Sequence, residues 1–466
     1  MTLAAGGCGA RVETPPPASA PTAADPAALL DDVQERTFRF FWELAYPNGL
    51  IPDRWPTRSF SSVAATGFGL NAYPIGIERG WISRAEGRDR VLATLRFLAH
   101  APQGEAPSGV TGYRGFFYHF LDPESGRRFE QVELSTIDTT LLLAGALFCQ
   151  SYFDRDEPGE REIRELAEAL YGRAEWDWAR PNPPAISHGW HPEHGWIASD
   201  WRGYNEAMLL YILALGSPTH PVDPGAWQEW TRPYRVVDFQ GQRYVDFAPL
   251  FGHQYSHVWV DFRGIRDAKM RELGWDYFEN SRRATLAQRA WAIANPRGWK
   301  GLGADIWGVT ACDGPQDAEE RIGLEVRRFW TYAGRGVGPG FPVEDGTIAP
   351  TAAGSSMPFT PQESAAALAA MRDRHGENLY SKYGFLDAFN PTYQFTDRPP
   401  HHGKVVPGMG WYDTDYLGID QGTLIAMIEN QRSGLIWNAL RKNPHIVRGL
   451  RRAGFTGGWL DAAPQP

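Results

Sequence analysis

Three acidic side chains stand where apolar helices begin. Glu206 heads the run YNEAMLLYILALG, Asp138 the run STIDTTLLLAGALF and Asp420 the run YLGIDQGTLIAMIE. Each follows a polar or aromatic segment, such as ISHGWHPEHGWIASDW ahead of Glu206. The plain role of such an acid is to face the positive end of the helix dipole. For Asp138 a cap is already supplied by Ser135 or Thr136. The chemical role is a carboxyl drawn among apolar side chains, protonated near neutral pH and able to act as a general acid. Periodicity places Glu206 in the first turn of its helix, and position alone leaves both roles open. If alternate helices line a ring, their N-terminal ends gather on one face and the three carboxyls converge. Glycoside hydrolysis needs such a set: one acid protonates the leaving oxygen, and a second activates water or attacks the sugar carbon.

Other constellations carry less. His188, His191, Glu193 and His194 in HGWHPEHGW match no zinc spacing, and Pro192 breaks any helix there. His253 and His257 share i, i+4 spacing but offer only two ligands, so sugar binding or a structural role fits them better. KGLGADIWGVTACDGP is glycine-rich without the order of a phosphate loop, and AAGSSMPF lacks the order of a nucleophile elbow. No metal and no cofactor is expected. The chain holds 19 Trp, many beside Gly, Pro, His or Asp in loops, as Trp196 and Trp411 are. There an indole offers a flat apolar face and a polar edge to a sugar ring.

Elements that would position these residues follow from apolar spacing. Helices are expected near 61–80, 83–100, 135–153, 160–174, 204–216, 276–295, 360–375, 416–440 and 443–454, after a first one that starts in PAALLDDVQERTFRFFWELA. Nearly all-apolar helices alternate with amphipathic ones, which predicts an all-α (α/α)6 barrel, its inner helices buried and its outer helices wet on one face. Small β-hairpins are expected in the loops, GFFYHFLD with GRRFEQVE across PESG, and RVVDFQGQRYVDF across QG.

Of the 466 residues, 1–26 read as a lipoprotein-like disordered tether and 27–466 as a single domain. Cys8 follows a small-residue run, as a lipidated cysteine does, so an exported periplasmic or outer-membrane lipoprotein is expected, with Cys8 as its membrane tether. No apolar run reaches the 18 or so residues of a transmembrane helix. The net charge of −9, from 46 basic and 55 acidic residues, gives no basic stripe, which argues against nucleic acid as partner and against a lyase acting on uronic acids.

The ordered segments LLDDVQERTFRFFWELAYPNGLIPDR, ELSTIDTTLLLAGAL, YNEAMLLYILALGSPTHPV, FGHQYSHVWVDFRGIRD, GLGADIWGVTACDGP, YGFLDAFNPT and YLGIDQGTLIAMIENQRSGLIW resemble the glycoamylase-like domain of bacteria, which includes glycoside hydrolase family 144, the endo-β-1,2-glucanases. The resemblance runs from about 28 to 460. It implies an (α/α)6 barrel and metal-free hydrolysis of β-1,2-glucan with inversion, with Glu206 as acid, Asp420 as base and Asp138 in the same cleft. It further implies Tyr204, Gln254, Arg263, Trp307 and Asp313 on substrate-facing loops. The segment STIDT is closer to the transglycosylating domain of cyclic β-1,2-glucan synthases, a retaining relative, so stereochemistry and exo or endo action stay open. A non-catalytic glucan-binding lipoprotein is the alternative of another class; it would keep the Trp loops and not need the acids.

Overall fold

A computed structural model describes residues 26–464. The tether expected at 1–26, with Cys8, lies outside the described residues except for Pro26, which opens the first helix. Sixteen α-helices follow among the described residues: α1 Pro26–Leu44, α2 Val63–Glu78, α3 Arg84–His100, α4 Thr136–Tyr152, α5 Pro158–Gly172, α6 Met208–Gly216, α7 Gly225–Thr231, α8 Tyr255–Trp259, α9 Ala268–Leu273, α10 Tyr277–Ala294, α11 Pro350–Gly354, α12 Pro361–His375, α13 Gly418–Arg432, α14 Leu435–Leu440, α15 Pro444–Arg452 and α16 Gly458–Ala462. None of them is long and apolar enough to cross a membrane.

Six helices, α2, α4, α6, α8, α11 and α13, are buried along nearly their whole length. Others keep a wet face: α12 buries Ser364, Ala367, Leu368 and Met371, the i, i+3, i+4, i+7 stripe of an amphipathic helix. The buried helices touch in succession. α2 packs on α4, α4 on α6, α11 on α13, and α13 back on α2. The Leu209 amide of α6 donates to Ser256 Oγ of α8 (3.1 Å), and Gln254 Nε2, just ahead of α8, donates to the Ala352 carbonyl of α11 (2.8 Å).

Two-residue strands run directly into three of these helices and set their N-terminal ends on one face. Ser61–Ser62 pairs with Ile51–Pro52 and Phe120–Leu121, and Ser62 then caps α2. Leu134–Ser135 pairs with Phe116–Tyr118 and Gly189–His191, and Ser135 caps α4. Tyr416–Leu417 pairs with Arg54–Trp55, and Leu417 precedes α13.

The expected hairpin Val236–Phe239 with Gln242–Val245 forms across Gln240 and Gly241. The one expected across PESG is confined to the turn, where the Asp122 N–H donates to the Arg127 carbonyl (2.7 Å) and the Phe129 N–H to the Phe120 carbonyl (3.1 Å). Its first half pairs with Leu134–Ser135 and Ser61–Ser62 instead, leaving a single bridge from Leu121 to Arg128. The Arg128 guanidinium is buried and bonded to the Val132 and Pro107 carbonyls and to Glu193, which draws its strand aside. The long helix expected at 416–440 breaks into α13 and α14 at Gly434, whose φ of 69° is open to glycine. An unforeseen hairpin, Ala318–Ile322 with Glu325–Phe329, turns at Gly323.

The backbones of α2 and α4 approach closely through two glycines. A Cβ on Gly145 would stand 2.2 Å from the Gly67 carbonyl oxygen, and one on Gly67 would stand 2.4 Å from that of Leu141. Neither backbone can yield as a side chain would. We expect Gly145→Ala to cost about 1–3 kcal/mol, as overpacking does, read as a lowered melting temperature; an unchanged one would contradict the contact.

Candidate active site

Each of the three acids found in the sequence is held differently. Asp138, in the first turn of α4, shares a reciprocal cap with Ser135: its backbone N–H donates to Ser135 Oγ (3.2 Å), which donates back to the carboxylate. Its Oδ1 stands 3.5 Å from His119 Nε2, and His119 Nδ1 is 2.8 Å from Glu133 Oε1. Burial opposes the imidazolium, but the two carboxylates outweigh it and push His119 up to about 9, so it is a cation at neutral pH.

The helix expected from Tyr204 begins four residues later and leaves Glu206 outside it. α6 starts at Met208 with Ala207 as N-cap, so Glu206 sits in the turn before the helix rather than in its first turn. The Asn205 side chain accepts the Ala207 N–H (3.0 Å) and holds that turn open. The Glu206 carbonyl accepts from Ser256 Oγ (3.1 Å), while its Oε2 is sealed from solvent without a hydrogen-bond partner. Burial, reinforced by the nearby Asp138 charge, pushes the carboxyl up to about 7.

Asp420, in the first turn of α13, has its carbonyl tied to Thr351 Oγ1 (3.1 Å). Burial pushes its carboxyl up to about 7, against a hydrogen bond from the Asp387 side chain that favours its ionised form. Asp387 is raised well above the usual carboxyl range by burial and by the Asp420 and Asp313 charges, so the proton of this pair resides on Asp387. Asp387 Oδ2 also accepts the Asp313 N–H (2.7 Å).

Arg54 anchors the surrounding charges. It donates to Asp313 (2.8 Å) and Asp53 (3.2 Å) and stands 3.9 Å from Asp415. Asp313, Asp387 and Asp413 bring carboxylate oxygens within 4.8 Å of one another, a spacing that could hold a hard cation. A cavity of about 280 Å³ opens onto this face. Asp53, Arg54, His119, Asp138 and Tyr332 line it, with Phe60, Phe120 and the residues flanking Gly418. The Tyr255 hydroxyl, at the head of α8, feels the charges of Asp420, Glu206 and Asp138 together. The three acids thus gather at one end of the buried helices.

Other expected contacts divide. Asp313 belongs to this cluster, fully buried against Arg54. Trp196 is half-buried against Trp178 (4.4 Å between ring centroids), in the sheet that carries Ser135. Tyr204, two residues before Glu206, is buried beside Tyr277 and His253, its hydroxyl 3.3 Å from Ser281 Oγ. Four expectations on substrate-facing residues need correction. Gln254 is spent on Ala352 and on Ser356 Oγ (2.9 Å). Trp307 and Trp411 have no exposed surface, and Trp411 Nε1 donates to the His402 carbonyl (2.7 Å). Arg263 pairs with Asp261 and covers the Trp437 ring at 4.4 Å. Trp437 follows the C-terminal end of α13, and 15 residues at 1.5 Å each place it about 20 Å from the Asp420 end.

Sequence reasoning passed over Asp53, Arg54, His119, Tyr255, Tyr332, Asp387, Asp413 and Asp415. Most sit in irregular loops, where no periodicity marks them. Asp387 had a usable signal, since GFLDAFN sets an acid inside an apolar run. His253 and His257, weighed as a pair, are buried and bonded to the Phe247 carbonyl (3.0 Å) and Ser281 Oγ (3.0 Å).

Known proteins share this architecture. Residues 198–444 match the family model named Glycoamylase, described as "Putative glucoamylase". A curated relative from Parabacteroides distasonis, named exo β-1,2-glucooligosaccharide sophorohydrolase (non-reducing end), is 30% identical over 91% of this chain, which spans 57% of that relative's length. A crystal structure from Bacteroides uniformis, described as a putative glucoamylase, is 30% identical with a TM-score of 0.80, covering 94% of this chain and 99% of that one. An endo-β-1,2-glucanase from Chitinophaga pinensis, in complex with sophorotriose and glucose, is 28% identical with a TM-score of 0.79, covering 94% and 100%. Over half the chain matches the family model, and the Bacteroides uniformis structure matches end to end: the chain belongs to the glycoamylase family.

Proposed function

We propose that this protein is a glycoside hydrolase acting on β-1,2-linked glucan, built on an (α/α)6 barrel whose inner helices are α2, α4, α6, α8, α11 and α13. The observation that carries the reading is the contrast between two carboxyls placed near 7 at the same end of the ring. Glu206 has a buried oxygen with no donor to stabilise its anion, whereas Asp420 receives a hydrogen bond from Asp387. A carboxyl oxygen sealed away from donors makes the anion costlier, whereas a side-chain donor such as Asp387 makes it cheaper. Glu206 therefore protonates the glycosidic oxygen as the C1–O bond breaks, and Asp420 takes a proton from the water that attacks C1. Asp138 touches neither departing group; its charge, steadied by His119 and Ser135, holds the Glu206 proton in place. The names of the relatives from Parabacteroides distasonis and Chitinophaga pinensis support the β-1,2 linkage.

Purified protein should release new reducing ends from linear β-1,2-glucan and not from β-1,3, β-1,4, β-1,6 or α-1,4 glucans, with the α-anomer appearing first by NMR. Glu206→Gln should abolish that release; retained activity would remove Glu206 from the chemistry. The pH profile of kcat/KM should be a narrow bell. Its alkaline limb follows loss of the Glu206 proton near 7, and its acid limb follows protonation of Asp420 near 7.

The same carboxyl makes a stability prediction independent of substrate. Native Glu206 keeps its proton up to about 7, whereas the unfolded chain releases it near 4.5. The native state then binds more protons between those values, so this residue's contribution falls as pH rises through that window. Glu206→Gln does not titrate. We expect its melting temperature to match wild type at pH 4.5 and to exceed it increasingly up to pH 7; a constant difference would contradict the raised value.

A further inference from the structure

Asp313, Asp387 and Asp413 are at most 3% exposed and come from separate segments of the chain. Asp313 follows the strand Ala311–Cys312 and Asp413 follows Gly410–Tyr412, while Asp387 precedes Phe389–Asn390, which pairs with Gly410–Tyr412. The Asp413 N–H donates to the Ala388 carbonyl (2.9 Å), and the Asp313 N–H to Asp387 Oδ2 (2.7 Å). Backbone pairing thus draws the three carboxylates together.

Each carboxylate is anchored by one oxygen and idle at the other. Asp313 Oδ2 accepts from Arg54 (2.8 Å), Asp387 Oδ2 from the Asp313 N–H, and Asp413 Oδ1 from the N–H groups of Thr414 (2.7 Å) and Asp415 (3.2 Å). Asp313 Oδ1, Asp387 Oδ1 and Asp413 Oδ2 are sealed from solvent without a hydrogen-bond partner. Orphaned acceptors of this kind cost free energy unless something positive reaches them. One oxygen from each residue lies within 4.8 Å of one from each of the others. That bound equals two bonds of about 2.4 Å, inside the range of calcium–oxygen contacts, whereas magnesium at about 2.0–2.1 Å needs a tighter set. A water oxygen stands farther off, at about 2.8 Å from a carboxylate oxygen, so a cage too small for water can still close on an ion.

We propose that Asp313, Asp387 and Asp413 form a structural site for one divalent cation of calcium's size, which ties their three segments together at the end of the ring. Fixing one oxygen of each carboxylate presets the other, as a rigid ion site requires. The cation balances buried charge that the guanidinium of Arg54 meets only in part. Arg54 also lines the cavity of about 280 Å³, which gives the ion and the water completing its shell a way in. Bound there, the cation takes the place of the proton on Asp387, and its charge favours the Asp420 anion as that proton does. It enters no step of the hydrolysis, and the inference stands apart from the glucanase reading.

The test uses the purified full chain, stripped with EDTA and desalted near neutral pH. Isothermal titration calorimetry should show one Ca2+ bound per chain. The melting temperature should rise by about 3 °C once free Ca2+ exceeds its Kd roughly 100-fold, and less with Mg2+ at the same concentration. Asp413→Asn keeps the side-chain shape and the Oδ1 acceptor while replacing the idle Oδ2 by an amide donor. It should bind Ca2+ roughly tenfold or more weakly, as loss of a ligand charge does. With EDTA present it should melt at or above the wild-type temperature, because its amide donates to the oxygens left orphaned. Absence of binding heat in the wild type would overturn the site whatever the variant does. Equal affinity in Asp413→Asn would place the ion elsewhere and overturn it too.

Discussion

The constraint on which the rest of the structure depends is an excess of buried carboxyls over buried cations at one end of the helical ring. Asp53, Asp313 and Asp415 surround the guanidinium of Arg54, with Asp387 and Asp413 beside Asp313 and Asp420 beside Asp387, and Asp138 and Glu133 flank His119. So many carboxylates cannot all be ionised where water is excluded, since an uncompensated buried charge costs several kcal/mol, of the order of the whole stability of a domain. Protons must be shared out among them. The fold decides who keeps one by deciding who receives hydrogen-bond donors.

That rule separates three acids that look alike in the sequence. Asp138 stands inside its helix, where burial raises its carboxyl while the dipole, the Ser135 hydroxyl and the His119 cation oppose that rise. Asp420 stands at the same position of α13, without a side-chain cap at Leu417, and obtains its donor from Asp387. Glu206 stands outside α6, because Asn205 ties up the Ala207 N–H that a first-turn acid would face. It receives no donor for Oε2 and keeps its proton. A displacement of the helix start by a few residues thus separates a carboxylate from a carboxylic acid.

What could be read in the sequence was what periodicity records. The apolar runs of α2, α4, α6 and α13 announced buried helices, and the amphipathic runs between them announced helices with a wet face. The three acids at their heads could be found because a charge interrupts an apolar run there. Arg54 and His119 could not, since they sit in two- and three-residue strands and their connections, where their partners are far away in the chain: Arg54 and Asp313 are 259 residues apart. Arg263 was misplaced for a related reason. A loop rich in aromatic and charged residues looks the same at either end of a set of packed helices, and only the direction of α8, from Tyr255 among the acids to Val258 bonded by Asn430 near the end of α13, shows that Arg263 has crossed to the far side.

The central claim, that burial keeps the Glu206 proton in place up to about pH 7, is tested most directly by following the side-chain carboxyl carbons by 13C NMR as pH is raised, with Glu206→Gln used to assign the signal. The account predicts a Glu206 resonance that titrates near 7. A midpoint near 4.5, the value of an ordinary glutamate, would contradict it.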